Sequence, residues 1–377
     1  MSSIGCSWQV SKKNMQLKVH SLFPDQILNE IIKNEKDYLI EPFLDPTWIN
    51  VWWKNIGNKE YTNIKYFVFS KNDMPIMVIP IVDRTIFFLK IVEIAGGKVS
   101  DYLSPIFNKK YNFTDLDLKF IRSEIIKHYE KCDIIFFRKQ KKYLNNNNPL
   151  LCLAKPILGI HKSYNIQLNN FSENKKIKKI LNDNRRQKKK LSNLGNVDFV
   201  IAKNVLEKEK ILKSMIAQKE DRYKKTNVWN MFKSNNYKNF YYELIKSDFN
   251  FLKLHVSAIK VDKSYISTHF GFFNYETFYY LMPSFDNVNF GSYSGGNILL
   301  ENLINFTKSN FIQVFDFTIG NEGYKKKWTN ETNDLFDVLL TISILGKVTK
   351  ILILLAFFCK KINIIDKLYK KIYKLFN

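Results

Sequence analysis

The sequence predicts an α+β fold in which one mixed α/β unit occurs twice, each copy a mostly antiparallel sheet flanked by helices. Three observations carry this. Strand-like runs come in two sets of three, with turn residues between the runs. Each set leads into a glycine pair, Gly96-Gly97 or Gly295-Gly296. Each pair precedes a helical pattern and then a short apolar run that reads as a buried strand. With 377 residues, 45% of them hydrophobic, the chain can bury cores for two domains.

In the first copy, PTWINVWWKNIG sets Trp48, Val51 and Trp52 at helical spacing. The runs IKYFVFS, PIMVIPIVD and IFFLKIVEI follow as strands, turning at Asn72-Asp73 and near Arg84. A helix over 114–131 places Leu118, Ile121, Ile125 and Tyr129 on one face, and CDIIFFRK closes the copy. The stretch NNNNP at 145–149 reads as a linker.

The second copy opens with the strand YNIQL. KKIKKILNDNRRQKKKLSNLG then reads as a helix with Ile177, Ile180, Leu181, Leu191 and Leu194 on its apolar face. Gly195 is its C-cap. Nine basic residues and one acid, Asp183, lie between 175 and 190, which fits a solvated face or phosphate contacts. The meander is FLKLHVSAIKV, YISTHFGFFNY and TFYYLMPSF; the helix is NILLENLINFTKS and the last strand IQVFDFT. The expected domains are residues 1–160 and 161–345, followed by a basic amphipathic tail at 346–377.

Composition narrows the chemistry. Four scattered cysteines form no CxxC pair, and five histidines show no ligand spacing, so neither a disulfide framework nor a metal site is expected. The first nineteen residues lack a continuous apolar core, which reads as a cytoplasmic start. The net charge of +24 falls mostly on the second copy: residues 161–377 carry 36 Lys/Arg against 19 Asp/Glu. That suits anionic partners such as nucleotides, CoA phosphates, acidic lipids or nucleic acid. Lysine is abundant everywhere, so compositional drift explains the excess as readily.

Three places could carry chemistry. FGSYSGG runs from a strand into a helix, where backbone N–H groups face outward and glycines allow a phosphate to approach; a plain tight turn fits the same residues. It lacks the Lys-Ser/Thr of a Walker loop. His269, beside Gly271 in STHFGFF, is a general-base candidate or a satisfied core histidine. Asp316 sits inside the apolar run VFDFT and needs a partner. Lys325, beyond Gly320 and Gly323, is placed to return over that strand end, as oxyanion stabiliser or as half of a structural ion pair.

HFGFF, YYLMPSFD, YSGGNILLENLI and FDFTIGNEGYKKKW follow in an order that resembles the FemAB-like branch of the GNAT acyltransferase superfamily. The likeness is strongest to its CelD-type, polysaccharide-associated members. Ser294-Gly295-Gly296 stands where that group has Ser-Pro-Gly. FLDPTWINVWWKNIG resembles its Trp-rich first helix and GGKVSDYLSP its Asp-Tyr loop, so the resemblance covers about residues 40–345. It implies tandem GNAT-like domains that move an acyl group from acyl-CoA, such as acetyl-CoA, to a sugar hydroxyl or an amine. The donor phosphates would meet Ser294, Gly295, Gly296 and Asn297. His269 would be base, Asp316 its orienter and Lys325 the charge stabiliser; Tyr280, Asp286 and Tyr324 would hold substrate. Tyr324-Lys325 also matches the Phe-Lys pair of FemAB relatives, which take aminoacyl-tRNA as donor and act on cell-wall precursors. A non-catalytic module gripping a polyanion through 175–190 is the third reading.

The tail has a nine-residue apolar core at 351–359, short of a membrane span. INIIDKLYKKIYKLF beyond it is a basic amphipathic pattern, suited either to an anionic inner-membrane surface or to packing on the second domain.

Overall fold

The computed structural model describes residues 15–143, 148–171, 175–226, 229–329 and 331–361. Strands of the first copy are β1 (Gln16–His20), β2 (Tyr38–Leu39), β3 (Asn63–Lys71), β4 (Met74–Ile86), β5 (Leu89–Ile94), β6 (Ile106–Asn108) and β7 (Ile134–Lys141). Its helices are α1 (Asp25–Lys33), α2 (Pro46–Trp52), α3 (Asn58–Glu60) and α4 (Asp115–His128). The second copy adds β8 (Ile157–Gln167), β9 (Val197–Ile201), β10 (Lys253–Val261), β11 (Ser264–Phe273), β12 (Thr277–Phe285), β13 (Val314–Ile319) and β14 (Thr332–Thr341). Its helices are α5 (Lys175–Ser192), α6 (Val205–Thr226), α7 (Asn235–Leu244), α8 (Gly295–Ser309), α9 (Lys325–Trp328) and α10 (Ile344–Lys361).

The mixed α+β fold is as expected. Each copy runs meander, loop, helix, strand: β3-β4-β5, α4, β7 and β10-β11-β12, α8, β13. In both, the strand after the helix lies parallel to the third strand of the meander. Near-continuous buried runs on the central strands and caps on the helices explain why these segments form. Asp45 caps α2 by accepting from the Thr47 N–H, with Pro46 at its first position. Thr114 and Asp117 form a reciprocal capping box at the start of α4. Beyond Trp52 the predicted first helix loosens into a π-turn at Trp53–Gly57.

The copies share one sheet, ordered β1-β3-β4-β5-β7-β14-β8-β13-β12-β11-β10-β9. The last strand of the second copy, β14, lies between β7 and β8 and is antiparallel to both. Backbone hydrogen bonds therefore run unbroken from one copy into the other. β8 begins at Ile157, so the turn between copies falls earlier than residue 160. Of the expected linker, 145–147 lie outside the described residues; Asn148 caps the next turn by accepting from the Leu150 N–H. One core packs α2, α6 and α7 residues, including Trp48, Trp52, Ile211 and Phe240, on one face of the sheet. A second packs α5 and α8 on the other face of the second copy.

Candidate active site

The parallel strands β12 and β13 pair over three residues only: Thr277 with Val314, Phe278 with Phe315, and Tyr279 with Asp316. Beyond that they part. Both strands carry an irregularity at the point of parting. On β12 one extra residue separates the partners of Phe270 and Phe272, a bulge at Tyr280-Leu281. On β13 the register with β8 breaks between Asp316 and Ile319, and Thr318 has φ +57°. The gap opens toward the C-terminal ends of both strands, the edge at which parallel α/β sheets bind ligands. Helix α8 starts at that same edge, after Ser294, whose φ of +55° makes the final turn.

Charged groups from both copies meet at this edge. Asp101, in the loop after β5, accepts hydrogen bonds from the Thr318 side chain and the Ile319 N–H, and faces Lys139 and Lys325. Lys325 is buried, and its Nζ lies 2.8 Å from the Ile319 carbonyl and 3.0 Å from Glu322 Oε2. Gly320 makes this return possible. Its φ is +133°, and a Cβ there would run into the Glu322 carboxylate and lie 2.8 Å from Lys325 Nζ. Lys219 comes in from α6, facing Arg222, Glu322 and Lys325. Loss of water and then the neighbouring cations lower it to about 8. Lys139 is lowered to about 8, chiefly by burial, with its Nζ 2.6 Å from the Ser100 carbonyl. Burial raises Asp101 above the usual carboxylate range, against the pull of Lys139. An electron-rich carboxyl and several cations thus share one partly dry edge.

Asp316 does not join this group. It and Tyr102 build a second cluster: Tyr102 Oη donates to Asp316 Oδ1 at 2.7 Å, and Lys141 Nζ lies 3.5 Å from Oδ2. The Thr318 N–H also donates to Oδ1. The adjacent residues Asp101 and Tyr102 thus reach two different clusters.

The expected contact between His269 and Asp316 is not formed, because the two side chains leave opposite faces of the sheet. Phe315 and Phe317 flank Asp316 and point into the α8 core, so Asp316 points the other way. His269 points into the α8 core. Its ring stacks on Tyr280 at 5.0 Å and 5° and on Phe278 at 5.4 Å, with His255 5.6 Å away. It is fully buried, and neither ring nitrogen has a hydrogen-bond partner. Burial first, then His255, hold its imidazole well below its ordinary pKa. The space expected over Gly271 is filled by the histidine itself: a Cβ at 271 would lie 2.7 Å from the His269 ring.

Tyr280, the ring under His269, is buried; Tyr324 is half-buried, with its centroid 6.4 Å from Tyr280. Asp286 spends its carboxylate on its own loop, accepting from the Val288 and Asn289 N–H groups and the Asn289 side chain. That loop walls a pocket of about 220 Å³ whose other wall carries Arg222 and Lys225 of α6. Ser294 and Asn297 form the first turn of α8, and Ser267 Oγ donates to the Gly295 carbonyl. A Cβ at Gly296 would meet Phe285 at ordinary contact distance. The basic helix α5 is tied to α8 through Asn184, which donates to Glu301 at 2.7 Å and to the Asn297 carbonyl. Among the described residues no cluster of histidine, cysteine or carboxylate could hold a metal.

Residues 178–326 match the family model of the acetyltransferase (GNAT) domain. The matched stretch lies within the second copy and holds β12, α8 and β13. The match agrees with the parted strands and the helix at their edge, and it supports acyltransferase chemistry. No curated protein matches the chain. Among solved structures it is similar to FemX, at 10% identity and TM-score 0.55, over 86% of this chain and 97% of that one. A conserved protein of unknown function from Bacteroides thetaiotaomicron is 14% identical, with TM-score 0.53 over 86% of this chain and 100% of the other. L-PGS from Bacillus licheniformis is 11% identical, with TM-score 0.50 over 89% and 96%. At such identities these likenesses show a shared fold that extends through both copies.

Of the groups at the GNAT edge, sequence reasoning found Lys325 and the α8 turn. Lys219, Lys139 and Arg222 had no local signal among so many lysines. Asp101 was visible only as part of an Asp-Tyr loop.

Proposed function

We propose that this GNAT chain moves an acyl group from acyl-CoA to an amine or hydroxyl on a sugar, polysaccharide or cell-envelope precursor. The parting of β12 and β13 beside the α8 N-terminus carries this reading. The thioester would lie between the strands, and its phosphates would meet the first turn of α8, at Ser294, Gly295, Gly296 and Asn297. The acceptor nitrogen or oxygen attacks the thioester carbonyl, and its proton passes to Asp101. The tetrahedral intermediate carries its charge on the carbonyl oxygen, opposite the Lys325 and Lys219 ammonium groups. It then collapses: the C–S bond breaks, and the thiolate takes up the proton held at the edge. Tyr280 and Tyr324 border the gap; His269 is packing, and Asp316 braces the wall through Tyr102.

The exposed basic face of α5, including Lys175, Lys178, Arg185, Arg186, Lys189 and Lys190, favours one second reading, in which aminoacyl-tRNA is the donor and a cell-wall precursor the acceptor. A screen of acyl-CoAs against sugar and amine acceptors, read by thiol release, separates the two. Acceptor-dependent thiol release is expected. Silence with every acyl-CoA, together with acceptor-dependent deacylation of charged tRNA, would replace the first reading by the second.

The same proposal places the protein on the cytoplasmic side of an anionic membrane. On α10, Ile344, Val348, Ile351, Leu352 and Leu355 form an exposed apolar stripe with Lys347 and Lys350 beside it. No described helix is long and apolar enough to cross a membrane. The amphipathic pattern at 362–376 lies outside the described residues. Flotation with phosphatidylglycerol vesicles should carry the wild-type chain upward and leave an Ile351→Glu/Leu355→Glu variant behind. A wild-type chain that stays in the bottom fraction would remove the membrane from the account.

A further inference from the structure

The N-terminal edge of the same strand pair holds a different site. A cleft of about 420 Å³ opens there, and Glu41, Lys141, Tyr143, Asn165, Tyr279 and Asp316 are among the residues lining it. Glu41 is 3% exposed, and its Oε1 is taken by Lys141 Nζ at 3.1 Å and Tyr143 Oη at 2.8 Å. Its other oxygen, Oε2, is buried without a partner, as is Asn165 Oδ1. With Glu41 held as a carboxylate by the Lys141 ammonium, both atoms can only accept. Buried acceptors left unpaired are costly, so a ligand that fits here must bring donors. The charges agree. Glu35, Glu41, Glu276 and Asp316 line the cleft against Lys109, Lys141 and Lys142, one surplus negative charge on a chain of net +24. Tyrosines 38, 143, 275 and 279 supply aromatic surface, which favours a cation over a neutral group.

We propose that this cleft binds a small molecule through a primary ammonium group that donates to Glu41 Oε2, with Asn165 Oδ1 accepting a further N–H or O–H. The cleft lies at the Val314 end of β13, whereas Lys325 closes on the Ile319 end. Binding here therefore stands apart from acyl transfer and is measured with no donor present.

Glucosamine and putrescine serve as probes, with glucose as the neutral control, in calorimetric titration of the full chain. Both amines should bind in the millimolar range or tighter, and glucose should not. Glu41→Gln preserves side-chain size and should weaken the amines by about tenfold or more, since it removes a charge-assisted bond. Saturation-transfer NMR on the wild-type protein gives a readout that does not depend on the variant folding: putrescine should displace the glucosamine signal. The proposal is overturned if neither amine binds, if glucose binds as well as glucosamine, or if Glu41→Gln binds both amines as tightly as wild type.

Discussion

Asp101→Asn should lower acyl-transfer turnover by about 10²- to 10⁴-fold, the range spanned by a positioned general base. The side chain keeps its shape, and its oxygen still accepts from Thr318 or Ile319, so the fold should survive. What is lost is the capacity to take a proton. Burial raises this carboxyl, so the acid limb of kcat/KM should fall above the ordinary aspartate range near 3.9 and vanish in the variant. Lys219, lowered to about 8, sets the other side. Above that pH its cation is lost, and the rate should decline. A variant that turns over within threefold of wild type, with its acid limb intact, would remove Asp101 from the chemistry.

Two buried histidines should make this protein sensitive to acid, against the buried carboxylates Glu41, Asp45, Asp101 and Asp337, whose raised pKa values favour the folded state as pH falls. His255 and His269 are buried side by side among Phe273, Phe278, Phe306 and Tyr280, with all four ring nitrogens unpartnered. Burial lowers His255 to about 3 and His269 well below its ordinary value. Unfolded, each titrates near 6.5. Between 6.5 and about 3 the unfolded histidines bind more protons than the folded ones, so their contribution to stability rises with pH across that window. Lowering the pH from 7 to 5 should cost about 2 kcal/mol through His255, at roughly 1.4 kcal/mol per pH unit below 6.5, and His269 adds to it in the same direction. Domains typically hold about 5–15 kcal/mol in all. Urea midpoints at several pH values check this. The slope should flatten in a His255→Leu/His269→Leu variant; an unchanged slope would show that other groups bind the protons.

Local pattern explains why so much of the architecture was legible. Short apolar runs bounded by turn residues and the two glycine-to-helix steps are short-range signals, and they located β3–β5, β10–β12, α4, α8, β7 and β13. Helices α6 and α7 escaped. In α6 lysines and glutamates interrupt the buried Ile211, Leu212, Met215 and Ile216, so no clean stripe stands out. The insertion of β14 between the copies depends on pairings some 200 residues apart, between Thr341 and Ile134 for instance. The site divides in the same way. Gly320 and Lys325 are neighbours in sequence, and the return of the lysine could be foreseen. Asp316 was rightly read as needing a partner, but Tyr102 and Lys141 come from the other copy. His269 misled because a histidine near a glycine suggests an opening, whereas the glycine makes room for the imidazole itself.

The central claim is that the gap between β12 and β13 is the donor slot, and a structure with CoA bound tests it most directly. The sulfur should lie between the Tyr280 and Phe317 segments, with the pyrophosphate on the first turn of α8 and Lys325 near the thiol. CoA lodged in the Glu41 cleft, or bound on the surface with the two strands untouched, would contradict it.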